Sequence, residues 1–349
     1  MQSVYILGAG GIGCLVAAPL VGSFKVNFIV RSSAKKEYLE KHDYRIQFKE
    51  LFDGGRIKQY KINGAYYANE IPDKHICCLI VSVKTFNTVS ALKSLMDRID
   101  KTTEIVLVQN GMGVIDQLYE ELWPDEKVRP IFYQAVISHG VYQDIREKNT
   151  YNYIHAGFSG MKLCRLTKDF ASATESNNRQ KATEMIRTLV NSQLNVEYCS
   201  YQNLLVYQVQ KLIMNCCMNS ITSILDCVNY ELDNLDSPEL FKEIVEESMK
   251  IFDAAFPILK NSELYESILT IDNIVNYTVD CGLKVNAKNS TSMRQDVLNL
   301  RDIEIDYING YVVKLGKRVG IPAKVNHAIV LLVKIRLQIN RARVNRKDE

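Results

Sequence analysis

Val4-Tyr5-Ile6-Leu7-Gly8-Ala9-Gly10-Gly11-Ile12-Gly13 decides how this chain folds. Four apolar residues run without interruption into the pattern G-x-G-x-x-G, and an apolar helical stretch follows. A continuous apolar run too short for a helix is the mark of a strand covered on both faces. The first glycine lets the chain turn tightly, the second lets backbone approach a pyrophosphate, and the third lets helix pack on strand. The helix amino terminus then turns free N–H groups and a positive dipole end toward the phosphates. A second strand pattern, Val26–Val30, closes the unit, so Gly8, Ala9, Gly10, Gly11, Ile12 and Gly13 are expected to hold a dinucleotide. Pro19, inside the first helical stretch, should kink it.

Just past that second strand, an NAD-binding protein usually places an acidic residue for the ribose hydroxyl. Here the place is taken by Arg31, followed by Ser32, Ser33, Lys35 and Lys36. A guanidinium and two hydroxyls suit a 2′-phosphate, so NADP is the expected cofactor.

Further apolar runs, Cys77–Val83, Glu104–Gln109 and Pro130–Ser138, alternate with polar segments at 31–45 and 85–100 that read as helical crossovers. Together they predict a parallel sheet, with a hairpin over 46–70 turning at Asp53-Gly54-Gly55. Ligands of such sheets bind beyond the carboxyl ends of the strands. Two polar residues stand there: Lys84, beside the cofactor or substrate, and Asn110, whose neighbours Gly111 and Gly113 let backbone close on a flat ring.

After about residue 200 strand patterns cease, and helical patterns cover 202–226, 237–258, 264–276, 291–319 and 323–341, with Pro322 in the first turn of the last. The fold class is therefore α/β: a Rossmann-like dinucleotide-binding domain over 1–200, then an all-helical substrate and catalytic domain over 201–349. At 349 residues the chain has the length of two domains.

Composition narrows the function. The hydrophobic fraction of 47% and charged fraction of 24% are those of a folded protein, which excludes disordered and low-complexity classes. The net charge of +3 is concentrated in residues 334–349, which read as a solvated helix end; no aromatic-interleaved basic groove for nucleic acid is present. Nine scattered cysteines, an odd number without C-x-x-C spacing, predict reduced thiols in a cytoplasmic compartment. The five histidines form no ligand-spaced cluster with them, so no metal is expected. Val4 to Phe24 carries no charge, but its glycines and Pro19 break it as a membrane segment, and neither anchor nor leader is expected.

One helical stretch carries chemistry. Lys211, Asn215 and Asn219 recur at every fourth position and share a face, surrounded by apolar residues and cysteines. Buried lysine and asparagine are costly unless paired, so the three either satisfy each other or line a polar pocket. A second stretch, Ser292 to Gly310, is rich in charge; periodicity alone does not say whether Glu304 or Asp306 faces a cleft.

Taken together, GAGGIG at 8–13, Arg31, VSVKT at 81–85, QNGMG at 109–113, KLIMNCCMNSITSI at 211–224 and TSMRQDVLNLRDIEIDYING at 291–310 resemble the ketopantoate reductases (2-dehydropantoate 2-reductases). The motifs stand in the family's order across nearly the whole chain. The resemblance implies NADPH-dependent reduction of 2-dehydropantoate to pantoate, on the route to pantothenate and coenzyme A. It matches Lys211 to the family's catalytic lysine and Glu304 to its substrate-holding glutamate. Asn110, Asn215, Asn219 and Ser292 match positions that hold substrate or cofactor, and Lys84 a lysine near the nicotinamide. Two departures, Ser220 for a usual proline and Gln109 for a frequent histidine, touch the pocket wall. The implied partner is a small 2-oxo acid, with no nucleic acid and no membrane, and the protein is a monomer or homodimer. Two other readings are a reductase of another branched 2-oxo acid and a non-catalytic NADP-binding regulator; the second should have lost Lys211 or Glu304, and both are present.

Overall fold

Along the first strand, successive apolar side chains enter opposite cores. Val4 and Ile6 pack with Val26, Phe28, Ile80 and Val106, while Tyr5 and Leu7 pack with Leu79, Val81, Ile105 and Leu107. This two-sided covering is why these strands lack polar alternation. The computed structural model describes residues 1–147, 149–166 and 182–345. The described residues group into two compact units, one of Met1–Gln109 and Val114–Leu204, the other of Asn110–Gly113 and the chain from Leu205 onward.

In the first unit the strands are β1 (Ser3–Leu7), β2 (Lys25–Ile29), β3 (Arg45–Glu50), β4 (Arg56–Lys61), β5 (Gly64–Tyr66), β6 (Cys78–Val81), β7 (Glu104–Leu107), β8 (Ile131–Ile137), β9 (Gly140–Tyr142), β10 (Asn152–Gly157), β11 (Met161–Arg165) and β12 (Val196–Tyr198). The helices are α1 (Gly11–Ala17), α2 (Ser33–Lys41), α3 (Thr88–Lys93), α4 (Val114–Glu121) and α5 (Glu184–Val190). The main sheet runs β12-β11-β8-β7-β6-β1-β2-β5, parallel from β8 to β5, with β11 antiparallel to β8. A second sheet, β4-β3-β10-β9, contains the expected hairpin, whose Gly54 and Gly55 turn at φ of +60° and +79°. Its Ile46, Phe48, Tyr151 and Tyr153 complete the first core. Pro19 does not kink a longer helix: α1 ends at Ala17 and gives way to a 3₁₀ turn, Ala18–Leu20, because proline lacks the N–H the next helical bond requires.

The second unit holds α6 (Tyr201–Leu225, entering the unit at Leu205), α7 (Ser237–Ala255), α8 (Tyr265–Ile268), α9 (Ile271–Tyr277), a π-helical run Thr278–Val285, α10 (Ser292–Leu298), α11 (Asn309–Val319) and α12 (Lys324–Asn345). Two expectations are corrected here. The stretch 291–319 is not one helix; it stops at Leu298 and resumes at Asn309, with a 3₁₀ turn Ile305–Tyr307 between. Leu300 takes a left-handed φ of +58°, and Arg301 N–H donates to the Asp296 carbonyl at 2.8 Å, closing α10 as a glycine usually would. Pro322 precedes the last helix instead of entering its first turn, since α12 begins at Lys324. The last four residues of the basic segment 334–349 lie outside the described residues. No described helix is long and apolar enough to cross a membrane.

Candidate functional site

The glycine turn is built as its pattern requires. Gly10 N–H donates to the Gly8 carbonyl at 2.7 Å, and Gly8 has a φ of +99°. A Cβ on Gly8 would strike the Ser82 and Val83 backbone, and one on Gly13 the Gly8 carbonyl and Ser82 Oγ. Ser82 Oγ donates to the Gly8 carbonyl at 2.5 Å, pinning the turn to the end of β6. Gly10, by contrast, has nothing among the described residues within 4 Å of its missing side chain. Its backbone therefore faces open space, as a site for a pyrophosphate needs.

Beyond β2, Arg31 is exposed. Ser32 Oγ accepts the Lys35 N–H at 3.4 Å and caps α2, so part of that hydroxyl's capacity is already used. Lys36 is bound to Glu70 at 2.6 Å, and the Lys35 ammonium lies 5.2 Å from the centre of the Tyr151 ring. Of Arg31, Lys35 and Lys36, Arg31 is thus the one left exposed. Lys84, half-buried, stands immediately before the 3₁₀ turn Thr85–Asn87. Gln109 donates to the Val83 carbonyl at 2.8 Å and to Thr88 Oγ1 at 2.5 Å, while its buried Oε1 has no hydrogen-bond partner among the described residues.

In the second unit Lys211, Asn110 and Glu304 come together from three separate stretches of chain. Lys211 Nζ donates to Asn110 Oδ1 at 3.2 Å. Burial pushes the Lys211 ammonium down to about 8, with the Glu304 carboxylate pulling back toward the charged form. Asn110 is held by its neighbours. Met112 N–H donates to the Tyr307 carbonyl at 3.0 Å, and Gly111, at φ +81°, lies so close that a Cβ would strike the same carbonyl. Gly113 lies against the ring of Tyr311, whereas Gly111 lies against the backbone of Tyr307. Sequence reasoning missed both tyrosines, although the pair of glycines signalled a close approach.

Glu304 is 6% exposed and stands just before the 3₁₀ turn, while the Asp306 side chain is 59% exposed and bound to Lys334 at 2.7 Å. The two carboxylates do point different ways, through a turn and not around a helix. Asn215 and Asn219 continue the Lys211 face of α6, half-buried and buried respectively. Ser292 is exposed at the first position of α10. Its neighbour Thr291 shares a 2.7 Å hydrogen bond with Thr222, one turn beyond Asn219. Ser220 donates to Asn309 Oδ1 at 2.5 Å, so the hydroxyl is spent on a buried link between α6 and α11. Among the described residues no cluster of three or more metal-ligating side chains is present.

A mainly parallel sheet with a glycine turn after its first strand, followed in the chain by a helical unit that carries a half-buried lysine, defines a Rossmann-type protein with a helical carboxyl-terminal half. Residues 4–163 match the family described as ketopantoate reductase PanE/ApbA, and residues 203–337 match the ketopantoate reductase PanE/ApbA C terminal family. The chain belongs to the ketopantoate reductase family. It is 36% identical, over 99% of both chains, to a probable 2-dehydropantoate 2-reductase of Schizosaccharomyces pombe. It is 34% identical to the 2-dehydropantoate 2-reductase of Saccharomyces cerevisiae, over 98% of this chain and 96% of that one. Among solved structures, D-mandelate dehydrogenase with NADH and anilino(oxo)acetate shares the fold at a TM-score of 0.76 and 21% identity, covering 97% of this chain and 100% of that one.

Proposed function

We propose that this chain reduces 2-dehydropantoate to pantoate with NADPH. The observation that carries the reading is Lys211, held by Asn110 under the influence of Glu304, with its ammonium pushed down to about 8. When bound, the cofactor supplies the hydride. Lys211 is charged at neutral pH yet releases its proton more readily than an exposed lysine, so it is suited to protonate the oxygen of a ketone under reduction. Asn110 fixes the direction of that ammonium. Glu304 accepts a hydrogen bond from the substrate hydroxyl, and Asn110, Asn215, Asn219 and Ser292 orient the carboxylate and ketone.

Gly8, Ala9, Gly10, Gly11, Ile12 and Gly13 hold the pyrophosphate, with Lys84 and Asn110 toward the nicotinamide end. The open face of Gly10 supports this fit. Arg31 supports NADP over NAD, because it is exposed where a ribose-binding acid would stand. The names of relatives that match end to end support 2-dehydropantoate as the substrate.

The test is cofactor oxidation by the purified chain, with NADPH or NADH, against 2-dehydropantoate and a panel of other branched and aromatic 2-oxo acids. The expected result is a preference for NADPH and 2-dehydropantoate. Arg31→Ala should weaken NADPH by about 1.5–3 kcal/mol and leave NADH nearly unchanged, the cost of one charged hydrogen bond. Equal use of both cofactors by the wild type refutes the NADP assignment, and a better substrate elsewhere in the panel refutes the substrate.

A further inference from the structure

All nine cysteines are free, and seven of them are buried; Cys77 and Cys281 are half-buried. Cys77 stands just before β6, beside the imidazole of His75, and its Sγ lies 3.5 Å from His75 Nδ1. The other ring nitrogen, Nε2, faces Asp100 Oδ1 at 3.1 Å, Thr103 Oγ1 at 3.3 Å and Thr102 Oγ1 at 3.4 Å. The hydroxyl protons of both threonines are spent elsewhere. Thr102 donates to Asp100 Oδ1 at 2.6 Å and Thr103 to the Ile76 carbonyl at 2.7 Å. The Asp100 carboxyl carries no proton at neutral pH either, because the Thr102 hydroxyl and N–H, with His75, hold it down at about 2. Three oxygens with no proton to give oblige Nε2 to carry the hydrogen of the neutral ring. Nδ1 is then the base, and it is the nitrogen beside the thiol.

Thiol, imidazole and carboxylate in that order are the arrangement in which a base activates a nucleophile and a third group orients the base. The three are strung along the two ring nitrogens and do not converge on one point, so they form a proton path and no metal cage. They are also within reach of solvent, the His75 and Asp100 side chains being 38% and 57% exposed. Cys78, next in the chain, is buried, and burial with the Glu104 charge pushes its thiol up to about 12. Cys281 meets the side-chain amide of Asn286, which donates to its Sγ at 3.5 Å and so gives a proton where a base would take one. Of the two half-buried thiols, Cys77 is thus the one that faces a base. Strand β6 separates it from Ser82, which pins the glycine turn; at about 3.3 Å per residue the two stand roughly 17 Å apart.

We propose that Cys77 is an activated thiol that takes small-molecule disulfides, with His75 receiving its proton and Asp100 positioning His75. As Cys77 Sγ attacks one sulfur of the disulfide, its proton passes to His75 Nδ1. The S–S bond of the disulfide breaks and a new one joins Cys77 to the attacked sulfur. The other sulfur leaves with the electron pair of the broken bond and takes the proton from His75 as a free thiol. Cys77 is oxidised, and the released thiol is the reduced product.

The test incubates the folded full chain with excess glutathione disulfide at neutral pH and follows each cysteine by peptide mass mapping. The adduct should form on Cys77 about tenfold faster than on Cys281 or more, since an unassisted thiol is only a few per cent thiolate there. His75→Asn and His75→Gln should each slow Cys77 by about tenfold, with the Cys281 rate and the melting temperature unchanged. Equal rates at Cys77 and Cys281 in the wild type overturn the proposal without recourse to any variant. A Cys77 rate that neither His75 variant changes overturns it as well. Loss of both Cys77 and Cys78 thiols without added mass would mean a disulfide between neighbours, and that outcome also overturns it.

Discussion

At the scale of the residue, the chemistry turns on one ammonium. Burial is the larger influence on Lys211 and lowers its proton affinity; Glu304 opposes it. A proton donor of this kind is active while charged, so turnover should fall as pH rises through about 8. Glu304→Gln removes the opposing charge and should move that alkaline limb to lower pH. Lys211→Ala should lower kcat by about 10²–10⁴, the usual contribution of a positioned acid, with NADPH binding near normal. Asp306→Ala should leave both kinetic constants close to wild type, because its carboxylate is exposed and engaged with Lys334. Steady-state kinetics across pH on the four chains checks all of this. An unmoved limb in Glu304→Gln would separate the carboxylate from the lysine.

At the scale of the element, the helical unit depends on one carboxylate borrowed from a neighbouring helix. Glu247, on α7, accepts the backbone N–H groups of Val325 and Asn326, each at 2.9 Å, and the Asn326 side-chain amide at 2.9 Å. These are the otherwise unpaired donors at the start of α12. Asn326 passes the connection on, accepting from Asn309 at 3.0 Å, which is itself joined to Ser220 on α6. Glu247→Ala should therefore lower stability by about 2–3 kcal/mol, the range for charge-assisted hydrogen bonds, with Glu247→Gln costing less. Urea midpoints followed by helical circular dichroism measure it; equal midpoints for Glu247→Ala and the wild type would refute the cap. How far such elements could be read in the sequence depended on the physical signal each one carries. Five strands of the main sheet were legible because covering on both faces leaves uninterrupted apolar runs. The strands β9 to β12 were not, since Gly140–Tyr142 and Val196–Tyr198 are three residues long and Asn152–Gly157 is mixed in polarity. The break after α10 was hidden because Leu300, and no glycine or proline, takes the left-handed position. Lys211, Asn215 and Asn219 were legible as one face, while the Thr222–Thr291 and Ser220–Asn309 links join residues too far apart in sequence to leave a periodicity.

At the scale of the whole molecule, the chain does not divide cleanly into a first and a second half. Asn110–Gly113 is flanked on both sides by the first unit, yet it belongs to the second. Four residues thereby complete a site whose other members lie about a hundred and two hundred positions further on. Two left-handed glycines separate this role from ordinary turn chemistry. Gly54 has a φ of +60° and nothing among the described residues within 4 Å of its missing side chain, whereas Gly111 has a φ of +81° and lies against the Tyr307 carbonyl. Alanine at either position meets the left-handed penalty of about 1–2 kcal/mol. At Gly111 it also meets backbone that cannot move aside without releasing the Met112–Tyr307 hydrogen bond and turning Asn110 away from Lys211. Gly54→Ala should therefore cost about 1–2 kcal/mol of stability and keep full reductase activity. Gly111→Ala should cost more, and should lower kcat by at least tenfold, because an acid displaced by about an ångström loses its alignment. Urea unfolding and kinetics on the two variants, side by side, decide the matter. Equal losses of stability with full activity in both would mean that Asn110–Gly113 is only a connection between strand and helix, and that Lys211 keeps its place without it.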